Sequence, residues 1–124
     1  MKREDLEQLL KLNGEFQRDC ERVKKHMERY DSDYLDVYSE WYVNSSGECE
    51  SFGDVYSRGC FMGTTFVSFD PELLTKTDEE LEAYVSKLIE EKEQKKREEE
   101  EERAKREQTT KLAMFNKLKE ELGL

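Results

Sequence analysis

The chain holds one histidine, His26, and three cysteines, Cys20, Cys49 and Cys60. These are the residue types that most often serve as base, nucleophile or metal ligand. His26 adjoins Met27 on a helical seam and points just off it, which reads as a surface histidine with no nucleophile to activate. None of the cysteines sits at CxxC spacing, and three thiols with one distant histidine do not assemble the closed ligand set of a structural zinc. Cys49 and Cys60 fall in a strand region where they could face each other, and small buried hydrophobes is the plainer account of them. Asp31, Asp33 and Asp36 suggest a calcium loop, but the glycine at its sixth position and the glutamate at its twelfth are missing. The stretch Tyr56-Ser57-Arg58-Gly59-Cys60-Phe61-Met62-Gly63 offers nucleophiles without a histidine nearby in sequence. Its glycines match neither the dinucleotide nor the P-loop spacing. The expectation is a protein with no catalytic, cofactor-binding or metal residues, acting by binding.

Charge is the more informative signal. Of 124 residues 42% are charged, with a net charge of -10. Residues 1–30 carry seven acids and eight bases, residues 83–124 eleven of each, and residues 31–82 thirteen acids against Arg58 and Lys76 alone. The whole excess falls on the centre. Phosphate backbones and anionic lipid would repel such a segment, so direct nucleic-acid or membrane-surface binding is disfavoured and a basic protein partner is favoured. Reduced thiols with no signal peptide ahead of them point to the cytoplasm, and no apolar run approaches the length needed to span a bilayer.

The elements that must position these residues follow from periodicity. Leu6, Leu9, Asn13, Phe16, Cys20, Val23, Met27 and Tyr30 alternate by three and four, a heptad seam on an N-terminal helix. Gly14 invites a kink beside Asn13. That seam fits either a coiled coil between two copies or a helix laid along the later helix that starts at Asp78. Tyr34 to Val43 alternates, with Leu35, Val37, Trp41 and Val43 on the core side and Tyr34, Asp36, Tyr38, Glu40 and Tyr42 on the wet side. Asn44-Ser45-Ser46-Gly47 is turn chemistry, with a hairpin partner expected around Glu48 to Phe52 and a last strand at Thr64 to Phe69. Asp70-Pro71 opens a helical turn, and Thr77 with Glu80 forms a capping box. Leu81, Tyr84, Val85, Leu88 and Ile89 then line one helical face.

From Glu90 to Glu107 the only apolar residue is Ala104. Acid-then-base pairs at i, i+4 (Glu91 with Lys95, Glu93 with Arg97, Glu99 with Arg103, Glu101 with Lys105, Glu102 with Arg106) support a solvated helix, against which the run Glu98 to Glu102 repels itself. A disordered linker is the alternative. Leu112, Phe115, Leu118 and Leu122 line a final amphipathic segment.

The expected fold is α+β: an N-terminal heptad helix, a three- to four-stranded antiparallel meander, and a long charged C-terminal helix. A small domain over residues 1–89 precedes a helical extension over 90–124 with an amphipathic end. Asp31, Asp33, Asp36, Glu40, Glu48, Glu50 and Asp54, set among Tyr38 and Tyr42, form the expected partner-binding face, carboxylates between aromatic anchors that imitate a phosphate backbone. Leu6, Leu9, Phe16, Val23, Met27, Leu112, Phe115, Leu118 and Leu122 are the expected contacts of a homodimer. The order helix, small acidic sheet, then Leu-Leu-Thr-Lys-Thr-Asp-Glu-Glu-Leu (Leu73 to Leu81) running into a Glu/Lys/Arg-rich helix resembles small accessory proteins of phages and prophages of Gram-positive bacteria, anti-CRISPR and other anti-defence inhibitors among them. That resemblance transfers no individual residue. It implies a non-enzymatic inhibitor or adaptor of a basic, nucleic-acid-binding host protein, acting in the host cytoplasm; the alternative is a scaffolding coiled-coil homo-oligomer.

Overall fold

The computed structural model describes residues 1–123. The fold is α+β: an N-terminal helix, a three-stranded antiparallel sheet and a long C-terminal helix. Two compact units divide it, Met1–Lys87 and Leu88–Leu124.

Helix α1, Arg3–Met27, begins with Glu4 and Asp5 in its first turn and ends with Lys24, Lys25 and His26 in its last, charges that complement the helix dipole at both ends. It passes through Asn13 and Gly14 as helix. Only its C-terminal half is packed: Cys20, Val23 and Met27 are buried, whereas Leu6, Leu9, Leu10 and Leu12 are exposed.

The sheet is a meander of β1, Tyr42–Val43, β2, Cys49–Ser57, and β3, Cys60–Phe69. Asn44 closes the first hairpin by accepting from Ser46 N–H and Glu48 N–H, both at 3.0 Å. The second hairpin turns on Arg58-Gly59, both at positive φ (52° and 79°), the backbone that a two-residue turn needs to match strand twist. Cys49, Ser51, Val67 and Phe69 are buried on one face of the hairpin, and Phe69 packs at 5.3 Å from the Trp41 ring. Val37, Tyr34, Leu73, Leu81 and Val85 complete the core with the α1 residues.

Two caps deliver the chain into the last helix. The Asp70 carboxylate accepts from Glu72 N–H at 2.9 Å ahead of the turn Pro71–Thr75. Glu80 N–H then donates to Thr77 Oγ1 at 3.2 Å and Thr77 N–H to Glu80 Oε1 at 3.3 Å, a closed capping box. Helix α2 runs Asp78–Glu121. In the second unit every side chain from Glu90 to Gly123 is exposed, so local interactions must carry the helix there. Arg106 meets Glu102 at 2.5 Å one turn back, and Gln94 donates to Glu98 at 3.2 Å. Thr109 and Thr110, poor helix formers, return their hydroxyls to the Lys105 and Arg106 carbonyls at 2.9 Å each.

Several sequence expectations are corrected. The alternating run from Tyr34 to Val43 is a strand only at Tyr42–Val43, and Ser32–Leu35 is a 3-10 turn capped by Asp31. Tyr34 is therefore buried and Leu35 is 62% exposed, the reverse of the alternation. Val43, assigned to the core side, is also exposed. Cys60 is exposed at the hairpin tip, and Cys49 lies against Cys20 rather than Cys60. Val23 and Met27, assigned to a seam between copies, are core residues of the single chain and are closed to a second one.

Candidate protein-interaction surface

Alternation along β2 buries Cys49, Ser51 and Gly53 and leaves Glu50, Phe52 and Asp54 on the opposite, outer face. The register sets Tyr42 and Ser68 beside Glu50, Phe66 beside Phe52, and Thr64 beside Asp54. One face thus holds two rings, a tyrosine and two carboxylates. The Phe52 and Phe66 centroids are 5.9 Å apart and tilted, and Phe66 remains 57% exposed. Exposed rings on a sheet in a chain this polar are the exception that calls for a partner.

Each carboxylate is fixed by a neighbour. Glu50 accepts from the Tyr42 hydroxyl, which raises the pKa of that hydroxyl, and from Asn44 Nδ2 at 3.4 Å. Asp54 accepts from Thr64 Oγ1 at 2.9 Å. Tyr38 stands at the same edge: its N–H and that of Ser39 donate to the Phe52 carbonyl at 3.0 Å, and its hydroxyl accepts from Asp54 N–H at 3.1 Å. The chain crosses close to the sheet here, since a Cβ on Gly53 would lie 1.9 Å from the Asp36 carbonyl oxygen. Ser51, fully buried, donates to the Ser39 carbonyl at 2.9 Å and stays satisfied.

Of the nine residues assigned to a binding face, the structure brings Tyr42, Glu50 and Asp54 together with Phe52 and Phe66, and sets Tyr38 at the adjoining edge of β2. Asp31, Asp33 and Asp36 lie at and around the Ser32–Leu35 turn, where the Asp31 carboxylate accepts from Asp33 N–H at 2.9 Å. Glu40 precedes the buried Trp41, and Glu48 sits in the turn before β2. Phe52 and Phe66 were absent from the sequence assignment. Their signal was the alternation of Phe52 with Ser51 and of Phe66 with Val67, which does not by itself say which side is wet.

A second polar cluster joins α1 to the start of α2. Asp78 receives Arg22 Nη1 at 3.1 Å and His26 Nε2 at 3.3 Å, and Arg22 Nη2 donates to the Leu74 carbonyl at 3.3 Å. These hydrogen bonds, that from Arg22 foremost, lower the pKa of Asp78. His26 is engaged structurally in this cluster. Burial pushes the Cys20 and Cys49 thiols up, which suppresses the thiolate a nucleophile needs. Among the described residues no group of three His, Cys, Asp or Glu is placed to hold a metal ion, and no helix is long and apolar enough to cross a membrane.

Comparison with protein-family models, curated proteins and solved structures finds no match for this chain.

Proposed function

We propose that the protein is a non-enzymatic acidic binding protein whose outer sheet face engages a basic protein partner. The observation that carries this reading is the Phe52–Phe66 pair flanked by Glu50 and Asp54 on one exposed face. Rings supply the desolvated contact that concentrates binding energy, and Lys or Arg side chains stack on them while reaching the carboxylates. The thirteen acids of residues 31–82 steer such a partner toward the face. A nucleic-acid-binding protein fits, with carboxylates in the place of backbone phosphates, and the effect on it is inhibition or adaptor recruitment.

The test is capture of basic proteins from extract at low and high salt by three forms of the chain. Charge reversal of Glu50 and Asp54 to lysine abolishes capture, Phe66→Ser weakens it, and both variants keep the wild-type circular dichroism. Added salt lowers wild-type capture, because ions screen exposed charges. Undiminished capture by the folded charge-reversed variant overturns the reading.

A scaffolding role is favoured by a different observation. Leu112, Phe115, Leu118 and Leu122 of the second unit are all exposed and recur at helical spacing along one open apolar stripe. That arrangement suits contact between copies.

A further inference from the structure

The outer edge of β3 is built like an open position in the sheet. The Phe52 carbonyl accepts from Tyr38 and Ser39, Phe52 N–H donates to Ser39 Oγ at 2.9 Å, and Asp54 N–H donates to the Tyr38 hydroxyl. Phe52 and Asp54 therefore turn their main-chain groups away from β3. In an antiparallel ladder their opposite residues, Phe66 and Thr64, then turn theirs away from β2. Ser68 follows the same alternation, and its carbonyl is taken by the Tyr34 hydroxyl at 3.1 Å. Among the described residues, no hydrogen bond reaches the main chain of Thr64 or Phe66 from the outer side.

Edges of this kind are normally blunted by charge, proline or cover. Cys60–Phe69 contains no charged residue and no proline in a chain that is 42% charged. Tyr34 closes one end of the edge, and the register shift opposite Val55 and Tyr56 marks the other. What remains is about one strand-pairing repeat, the amides and carbonyls of Thr64 and Phe66.

We infer that this edge takes up a short extended segment of a lysine- and arginine-bearing partner as a fourth strand. Charge selects that occupant: the same edge of a second copy brings thirteen more acids against two bases over residues 31–82 and is repelled, whereas a basic strand is attracted. A residue added beside Phe66 places its side chain along the exposed ring, with the Glu50 and Asp54 carboxylates behind it. Main-chain bonds supply affinity in this mode and alternate side chains supply selectivity. The inference rests on the acidic-face reading and adds the backbone geometry of binding to it.

Amide exchange by NMR on the full chain tests it, with the synthetic peptide Lys-Thr-Lys-Val-Lys-Thr-Lys as probe and the same peptide N-methylated at every internal residue as control. In the protein alone the Thr64 and Phe66 amides exchange fast, and the first peptide slows them selectively. N-methylation leaves the charge intact and removes the donors, so the control binds about tenfold more weakly, the worth of one or two hydrogen bonds. Equal binding of both peptides, without protection at Thr64 and Phe66, overturns the strand addition and leaves the acidic face standing. Binding of neither overturns both. Protection already present in the protein alone and lost on dilution assigns the edge to a second copy and also overturns the inference.

Discussion

The side-chain amide of Gln17 holds the main chain of Trp41 at both ends: Trp41 N–H donates to Gln17 Oε1 at 2.7 Å, and Gln17 Nε2 donates to the Trp41 carbonyl at 2.8 Å. One residue on α1 thus does the work of a strand partner for Trp41, which lies just outside the β1–β2 ladder. The indole adds a third link, Trp41 Nε1 to Glu21 Oε1 at 3.0 Å. Gln17→Ala leaves two half-buried main-chain groups unsatisfied and lowers stability by about 1–3 kcal/mol in urea unfolding followed by Trp41 fluorescence. Gln17→Glu keeps the acceptor but loses the donor, and falls between the two. A transition unchanged in Gln17→Ala would show that water replaces the amide at no cost.

Gly53 is required by approach rather than by backbone angle. Its missing Cβ leaves room for the Asp36 carbonyl oxygen, which would stand at 1.9 Å from that atom, with Tyr38 Cδ1 at 3.0 Å. The obstructing atom is backbone, so relief means moving the 36–39 segment off the sheet. Gly53→Ala therefore destabilises the fold by about 1–3 kcal/mol, the usual cost of overpacking, and it loosens Tyr38 at the edge of β2. Partner capture falls with it. Gly14→Ala, on an open helix surface, is the control and leaves stability unchanged or raised.

These two sites show where legibility in the sequence ended. Caps and the first turn were legible because their partners are a few residues apart: Thr77 with Glu80, Asp70 with Glu72 and Asn44 with Glu48 all close locally. The Tyr34 to Val43 run was misread as one strand because period-two alternation constrains side chains but not where backbone groups find partners. Gln17, twenty-four residues from Trp41, and Ser39 bonding across to Ser51 and Phe52 answered that question instead. The same holds for the candidate face. Its carboxylates stood out by charge, whereas nothing assigned Phe52 and Phe66 to a side until the register placed them opposite each other on the outer one.

The Asp78 cluster sets an acid limb of stability. Hydrogen bonds from Arg22 and then His26 hold the folded-state pKa of Asp78 below its ordinary value of 3.8. A depressed carboxylate contributes stability that is present above the ordinary value and is lost as pH falls through the depressed one. Wild type therefore melts above Asp78→Asn at neutral pH, and the gap closes as pH drops below 3.8. Thermal melts of both forms across that range check the sign. A gap that widens in acid would mean that Asp78 opposes folding.

The capping box offers a cleaner test of where α2 begins. Removing the Thr77 hydroxyl deprives Glu80 N–H of its acceptor, and a lost cap of this type costs about 0.5–2 kcal/mol. Thr77→Ala lowers the melting temperature, whereas Thr77→Ser retains the oxygen and restores most of the loss. Equal melting of wild type and Thr77→Ala would place the effective helix start elsewhere.

The exposed stripe of the second unit decides whether copies associate. Leu112, Phe115, Leu118 and Leu122 recur at helical spacing with none of them buried, and each leucine or phenylalanine gains about 1.5–3 kcal/mol when fully removed from water. Two copies burying these stripes against one another would repay the ordering of a short helix pair, so a homodimer at micromolar concentration is the expected state. Phe115→Glu with Leu118→Glu should return the chain to a 14.8 kDa species in sedimentation equilibrium without altering the thermal transition of the Met1–Lys87 unit. Leu9→Glu, on the exposed half of α1, separates the two candidate seams: dissociation by that variant alone would move the contact to the N-terminal helix. Raised salt should leave the dimer intact, because burial of apolar surface is not screened, while partner capture at the acidic face falls. A wild-type chain that sediments only as 14.8 kDa would exclude the scaffold and leave the acidic sheet as the functional surface.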